Sequence, residues 1–227
     1  MKNIPLPIDR LLSRDSIAKR LAVDLQPDWV VNLGIGMPTL TTKYVKAEQD
    51  IVFHSENGII GMGPPPPAES QDDDLRDAGK NFCTLIPGAA LVHHADSFSL
   101  ARGGRLDCAI LGAFQVAANG DLANWRLPGD PTGNIGGAMD IATGAKEVFA
   151  MMTHVNKNGE SKLTEKLTYP ATALSCVTRV FTDMAVISVT EDGYLLEETA
   201  PGISAEEVQF HTDAKLKVAA NLRDIAA

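Results

Sequence analysis

The sequence predicts an α/β fold built on an open, mainly parallel sheet with flanking helices, and three observations lead there. Six short apolar runs bounded by glycine or proline recur at 29–34, 51–54, 82–88, 106–112, 146–155 and 184–190. They are nearly continuous in apolar character rather than alternating, which is the pattern of strands covered on both faces. Helical spacing separates several of them, at 13–25, 38–48 and 95–102, so strand and helix follow each other as in β-α-β units.

In chain order, a helix over 13–25 precedes the strand WVVNLG. That strand runs into the glycine turn GIG, with Pro38 placed for the first turn of the next helix. The amides around Gly34 and Gly36 could therefore face an anion; a turn made only for packing fits the residues equally well, because the third glycine of a dinucleotide fingerprint is missing. The strand IVFH ends at Glu56-Asn57-Gly58, where Asn-Gly favours a tight turn with positive φ. The proline run 64–67 cannot donate ladder hydrogen bonds, so it caps an edge or stiffens a loop wall. Asp72, Asp73 and Asp74 read as a solvated helix start. Near the C-terminus, Ser204 with Glu207 three residues on forms a capping-box pattern, and a final helix is predicted over 213–223. No internal repeat or linker divides the chain, so residues 1–227 are read as one domain.

Composition excludes several classes of function. A chain of 227 residues, 44% hydrophobic, is long enough for a sizeable core. Its 29 acidic against 20 basic residues give a net charge of -9, which repels phosphate backbones and anionic lipid, so neither nucleic acid nor membrane is an expected partner. No apolar run approaches the ~20 residues of a bilayer span, and the first residues lack a signal-peptide core, so a cytoplasmic location is expected. Cys83, Cys108 and Cys176 are far apart in apolar segments, which supports buried thiols rather than disulfides or zinc.

Three segments have the residues for chemistry. Glu56 directly follows a strand, and in open α/β sheets ligands collect outside the carboxyl ends of strands. A turn glutamate that merely meets water is the alternative. In 129–146, Gly136 and Gly137 precede a small-residue helix start, so their amides could form a nest for developing negative charge, or simply a tight turn. His93, His94 and Asp96 lie close in sequence, but adjacent histidines point in different directions and no further ligand lies nearby, so a polar pocket wall is expected and no metal.

The segment SENGIIGMGP, residues 55–64, resembles the Ser-Glu-Asn-Gly signature of the B-type subunits of class I CoA-transferases. Counterparts of NLGIGMP (32–38), DAGK (77–80), IPGA (86–89), RGG (102–104), LGAFQV with GDLANW (111–125), GGAMD (136–140) and GESKLTEKLTYP (159–170) follow in the family's order. The resemblance spans roughly 15–190, and HHADSF with FAMMTHVNKNGESKL is most similar to the 3-oxoadipate branch. One departure is the run of four prolines, where relatives usually carry one or two.

The resemblance implies the open α/β fold of that family, Glu56 as nucleophile, Gly137 supported by Gly136 as oxyanion donor, and Asn32 and Lys80 as contacts to coenzyme A. It implies succinyl-CoA as a substrate with no permanently bound cofactor, an A-type subunit as partner in a heterodimer or an A2B2-type assembly, and a site completed between the two. A glutamate with a pKa near ~4.3 is ionised at neutral pH and needs no neighbouring base. His93, His94, Arg102 and Arg105 are candidates for the second carboxylate of 3-oxoadipate, which acetoacetate lacks. An acetoacetate or acetate enzyme, a CoA-ester hydrolase and a sugar-phosphate-binding protein of the same fold remain as alternatives.

Overall fold

The structure, a computed structural model, describes residues 4–226. Its larger sheet has ten strands: β1 (Val30–Leu33), β2 (Val52–Ser55), β3 (Ile59–Gly63), β4 (Thr84–Leu91), β5 (Cys108–Leu111), β8 (Glu147–Met151), β10 (Arg179–Phe181), β11 (Ala185–Thr190), β12 (Gly193–Thr199) and β13 (Leu216–Asp224). A small three-stranded sheet holds β6 (Gln115–Ala117), β7 (Leu122–Ala123) and β9 (Leu163–Thr164). The helices are α1 (Arg14–Ala22), α2 (His94–Arg102), α3 (Ala138–Gly144) and α4 (Ala205–Phe210).

The large sheet runs β13-β12-β11-β10-β8-β5-β1-β2-β3-β4. Its centre, β2-β1-β5-β8-β10, is parallel throughout. Antiparallel pairs flank that centre: β2 turns back into β3 and then β4, while β10 is followed by β11 and β12. The centre is apolar on both faces as the sequence predicts. All four residues of β5 are buried, with Cys108 and Ile110 in the cluster under α1 and Ala109 and Leu111 in the cluster under α2 and α3. Because strand side chains alternate, a continuous run is the sequence of a strand with a core on each side.

Helix α1 starts where Ser13 accepts a hydrogen bond from the Ser16 amide at 3.0 Å, and it buries Ile17, Ala18 and Leu21. Its Arg20 is tied into the far end of the sheet. Nε and Nη2 donate to both oxygens of Glu198 at 2.6 and 2.8 Å, and Nη1 donates to Asp24 at 2.7 Å. Arg223 on β13 donates to the same Glu198, which is 3% exposed. Two guanidinium groups on one buried carboxylate thus fasten α1 to β12 and β13.

Several expectations are corrected. Residues 213–223 are not a helix: β13 covers Leu216–Asp224 and pairs in parallel with β12, while the capped helix α4 ends at Phe210. The LKVAANLR stretch has fair helix propensity, but pairing with a sheet edge supplies backbone partners and overrides it. The capping box itself forms, with the Glu207 carboxylate accepting from the Ser204 amide at 2.8 Å. The 38–48 helix is two 3-10 segments, Met37–Lys43 and Ala47–Gln49. Asp72 to Asp74 form a turn, with the Asp72 carboxylate accepting from the Asp74 amide at 2.9 Å. The 82–88 run is not a doubly buried strand: β4 is the exposed edge, with Leu91 65% exposed and Pro87 tolerated there because an edge needs fewer donors. The prolines at 64–67 follow β3, which is interior, and the Pro64 carbonyl accepts from the Thr84 amide and hydroxyl.

Removing one member of a buried, hydrogen-bonded charge cluster leaves the others unpaired and costs about 3–5 kcal/mol. Arg20→Met is therefore expected to lower stability by that order in denaturant unfolding, whereas Lys43→Met, whose ion pair with Asp15 is exposed, is expected to cost under about 1 kcal/mol.

Candidate active site

The carboxyl ends of β1, β2, β5 and β8 open into one cavity of about 500 Å³. Glu56, Asn32, Gly136 and Gly137 line it together, so the structure unites four positions that are distant in sequence. Arg14 and Lys162 are cations on its wall, and burial lowers the Lys162 ammonium to about 8. An open groove of about 1490 Å³ meets this cavity at Phe114, Thr153 and Lys162 and contains none of the candidate residues.

Glu56 stands on the β2–β3 turn. Gly58 takes φ 117°, its amide donates to the Ser55 carbonyl at 3.0 Å, and a Cβ there would fall 2.3 Å from the Val92 carbonyl oxygen. Glycine is thus required both by conformation and by the strand passing beside the turn. The turn sends the half-buried Glu56 side chain toward Gly137, the residue before α3, where a Cβ would lie 2.6 Å from Glu56 Oε2 and 2.6 Å from Phe98 Cζ. The Gly137 backbone thus lies directly against the carboxylate. Loss of water raises the Glu56 pKa above its ordinary value, while the Gly137 amide and the nearby His94 act in the opposite direction. The expectation of an ordinary glutamate is corrected accordingly: this one is held partly out of water against the Gly137 backbone.

The rest of the signature supports that turn. The Ser55 hydroxyl accepts from the Ala78 amide at 2.9 Å, and Asn57 Nδ2 donates to the Arg76 carbonyl at 2.7 Å. Both bonds attach loop 76–81 beside Glu56. Lys80 in that loop has φ 65°, a conformation uncommon for lysine. It is held there by its amide bonding to the Asp77 carbonyl at 2.9 Å and by Arg76 donating to the Lys80 carbonyl at 3.1 Å. The Lys80 side chain is exposed outside the cavity, while Ala78 lines it.

Asn32 is 1% exposed, and its Nδ2 donates to His54 Nδ1 at 3.0 Å and to the His54 carbonyl at 3.3 Å. Its Oδ1 is buried with no partner in the protein. The Gly34 amide is committed to the Ile110 carbonyl at 2.8 Å, so it does not face an anion; Gly36 keeps φ 93° at the start of the 3-10 segment.

The structure places the remaining candidates around the cavity rather than in its wall. His93 caps α2, its Nδ1 accepting from the Ala95 amide at 3.1 Å. His94 packs on Phe98 with ring centroids 4.8 Å apart. Arg102 is paired with Asp140 at 2.8 Å and lies over Phe98. Among the described residues no cluster of three or more His, Cys, Asp or Glu could hold a metal, and no helix is long and apolar enough to cross a membrane. Sequence reading missed His54, Ser97 and Phe98. His54 lies inside an apolar strand run and Ser97 inside a helix, and neither has a spacing signal that separates it from core.

Ser55→Ala removes the acceptor of the Ala78 amide, so hydrogen exchange at Ala78 is expected to accelerate roughly tenfold or more, the scale of one lost hydrogen bond, with exchange in β5 unchanged.

Residues 14–210 match the model of the family described as Coenzyme A transferase. The chain is 50% identical over 205 residues to the B-type subunit of the 3-oxoadipate CoA-transferase of Pseudomonas putida, covering 90% of this chain and 96% of that one. It is 44% identical over 205 residues to the B-type subunit of the succinyl-CoA:3-ketoacid coenzyme A transferase of Helicobacter pylori, covering 90% and 99%. Among solved structures, an acyl-CoA transferase from Escherichia coli O157:H7 superposes with a TM-score of 0.75 at 20% identity; it matches 99% of this chain, which spans only 45% of that longer one.

Proposed function

The chain belongs to the coenzyme A transferase family, and from that premise we propose that it is the B-type half of a transferase moving coenzyme A from succinyl-CoA to a 3-oxoacid, 3-oxoadipate foremost. The observation that carries this reading is Glu56 itself, a carboxylate raised on a strand-end turn into a cavity, partly out of water and against the Gly137 backbone. The identities to B-type subunits of enzymes named for 3-oxoadipate and 3-ketoacids support the acceptor class. Arg14 and Lys162 on the cavity wall suit anionic substrates.

Catalysis proceeds without net proton transfer. A Glu56 oxygen attacks the thioester carbonyl, the carbonyl electron pair moves onto oxygen, and collapse expels the CoA thiolate to leave an acyl-glutamyl anhydride. The thiolate then attacks the glutamyl carbonyl and releases the donor carboxylate, leaving a Glu56–CoA thioester. The acceptor carboxylate attacks that thioester, and the same two steps run in reverse give the new acyl-CoA and free Glu56. Each tetrahedral intermediate has an oxyanion, and a donor aimed at one is worth about 3–4 kcal/mol. The Gly137 amide, with Gly136 shaping its turn, suits the charge on the glutamyl side. Desolvation of Glu56 makes the carboxylate more reactive than in water, because fewer hydrogen bonds must be lost on attack.

A second chain is part of this reading. Ile35 and Ile135 line the cavity yet are 65% and 49% exposed, so one side of the site is an apolar rim awaiting cover. An A-type subunit closing over that rim completes the pocket, and the isolated chain is expected to be inactive. The exposed Lys80, on the loop that Ser55 and Asn57 secure, serves as a point charge for the polyanionic cofactor.

With the A-type subunit present, Glu56→Gln is expected to cut exchange at least ~10³-fold, and hydroxylamine added after succinyl-CoA is expected to mark position 56 as a hydroxamate; parental exchange by the variant overturns the reading. Gly137→Ala, which puts a methyl against both the carboxylate and Phe98 Cζ at a φ any residue adopts, is expected to lose ~10²-fold or more in exchange and, because a neighbour must shift, to cost about 1–3 kcal/mol in denaturant unfolding.

The raised Glu56 pKa has a defined sign. A folded value above the unfolded one means the charged form is penalised by the fold, fully above the folded pKa and not at all below the unfolded one. The acid limb of kcat/KM is therefore expected above the ordinary glutamate range. Glu56→Gln is expected to raise the melting temperature at pH 8 and to leave it unchanged near pH 3.

A further inference from the structure

Lys162 is the half-buried cation of the cavity that holds Glu56. Among the described residues the lysines in ion pairs are Lys43, Lys146 and Lys217, all at the surface, and Lys162 is not one of them. The carboxylate that acts on it is Asp183, but Asp183 Oδ1 accepts from the His154 amide at 2.7 Å. Burial also raises the Asp183 carboxyl above its ordinary range, which makes it a poor counter-ion. A charge drawn out of water without a partner is penalised, and the Lys162 ammonium has fallen to about 8 for that reason. An anion entering the cavity offsets the penalty. Arg14, the other cation on the wall, is exposed in the first turn of α1, where water weakens its attraction.

Position selects the anion. The Lys162 amide donates to the His154 carbonyl at 3.0 Å, which sets it beside the chain leaving β8, whereas Glu56 leaves β2. Strands β5 and β1 lie between those two, so their ends are roughly 14 Å apart at ordinary strand spacing. Both residues line one cavity, so their side chains close part of that distance and leave about the length of a short acyl chain. Leu111, Ala113 and Met152 line the same cavity and give methylene carbons an apolar wall. The phosphates of coenzyme A, at the far end of its arm from the sulfur, do not match this separation.

We propose that Lys162 is a specificity-determining residue that pairs with the non-reacting carboxylate of a dicarboxylic substrate while the other end of that substrate reacts at Glu56. The inference rests on the coenzyme A transferase reading above. A compact ammonium on a flexible four-carbon stem suits the role, because a succinyl donor and a 3-oxoadipate acceptor differ in length and use the same cation in turn. His93, His94 and Arg102, the candidates from sequence, lie outside the cavity wall.

The test uses the chain reconstituted with its A-type subunit and two acceptors of equal length, 3-oxoadipate and 3-oxohexanoate, the second lacking the distal carboxylate. With the parent, kcat/KM is expected to favour 3-oxoadipate by about tenfold to a hundredfold, the scale of one hydrogen bond to a charged group. In Lys162→Met that ratio is expected to fall to about 3 or less, with turnover of 3-oxohexanoate within about threefold of the parent. Arg14→Met is expected to keep the parental ratio. Lys162→Gln carries the test should Lys162→Met not fold. A parental ratio of about 1 or below, a ratio unchanged in the Lys162 variants, or an equal fall with both acceptors overturns the proposal; the equal fall is what a lysine serving only the fold or the coenzyme A phosphates would give. A parent that passes coenzyme A from succinyl-CoA to neither acceptor nor to acetoacetate overturns the transferase reading instead, and this inference with it.

Discussion

A carboxylate held partly out of water against the backbone of a single glycine is the constraint around which this site is built. Glu56 comes from the β2–β3 turn and Gly137 from the residue before α3, so the contact requires elements far apart in sequence to be packed side by side. Any side chain at 137 would occupy the place of the carboxylate or of Phe98. The fold therefore has to hold two backbone segments at near van der Waals distance with a charge between them, and it accepts a desolvation cost at Glu56 to do so.

That cost explains how labour is divided within the four-residue signature. Glu56 is the residue displayed to the cavity, and its neighbours build the turn that displays it. Ser55 and Asn57 each commit their polar atoms to the backbone of loop 76–81, and Gly58 lets the chain reverse beneath the Val92 carbonyl. The loop so fastened holds Lys80 in a backbone conformation that lysine rarely adopts, which persists because hydrogen bonds on both sides of it over-determine the turn. Far from the cavity, the Arg20–Glu198–Arg223 cluster does a purely structural version of the same thing, with charge stabilised by saturation of its hydrogen bonds.

The antiparallel flanks matter as much as the parallel centre. Had β2 continued into a crossover helix, Glu56 would sit in an ordinary strand-to-helix loop; the hairpin to β3 instead turns the chain back within three residues and fixes the side chain's direction. At the opposite end of the sheet, β13 lies in parallel beside β12 and takes up a segment whose composition suits a helix. In both places the choice is made by which backbone partners are available, a long-range property.

Local chemistry in the sequence determined the alternation of strand and helix, the doubly buried central strands, the Asn-Gly turn under Glu56 and the Ser204 cap, because each depends on residues a few positions apart. Glu56, Asn32, Gly136 and Gly137 were singled out through motif resemblance rather than through spacing. Tertiary structure alone decided that these four share one cavity, that residues 216–224 form a strand, that Arg102 pairs with Asp140 and that His54 and Ser97 stand behind Asn32. The physical reason is that burial and hydrogen-bond partnership across the sheet depend on which strands become neighbours, and no local pattern encodes that choice.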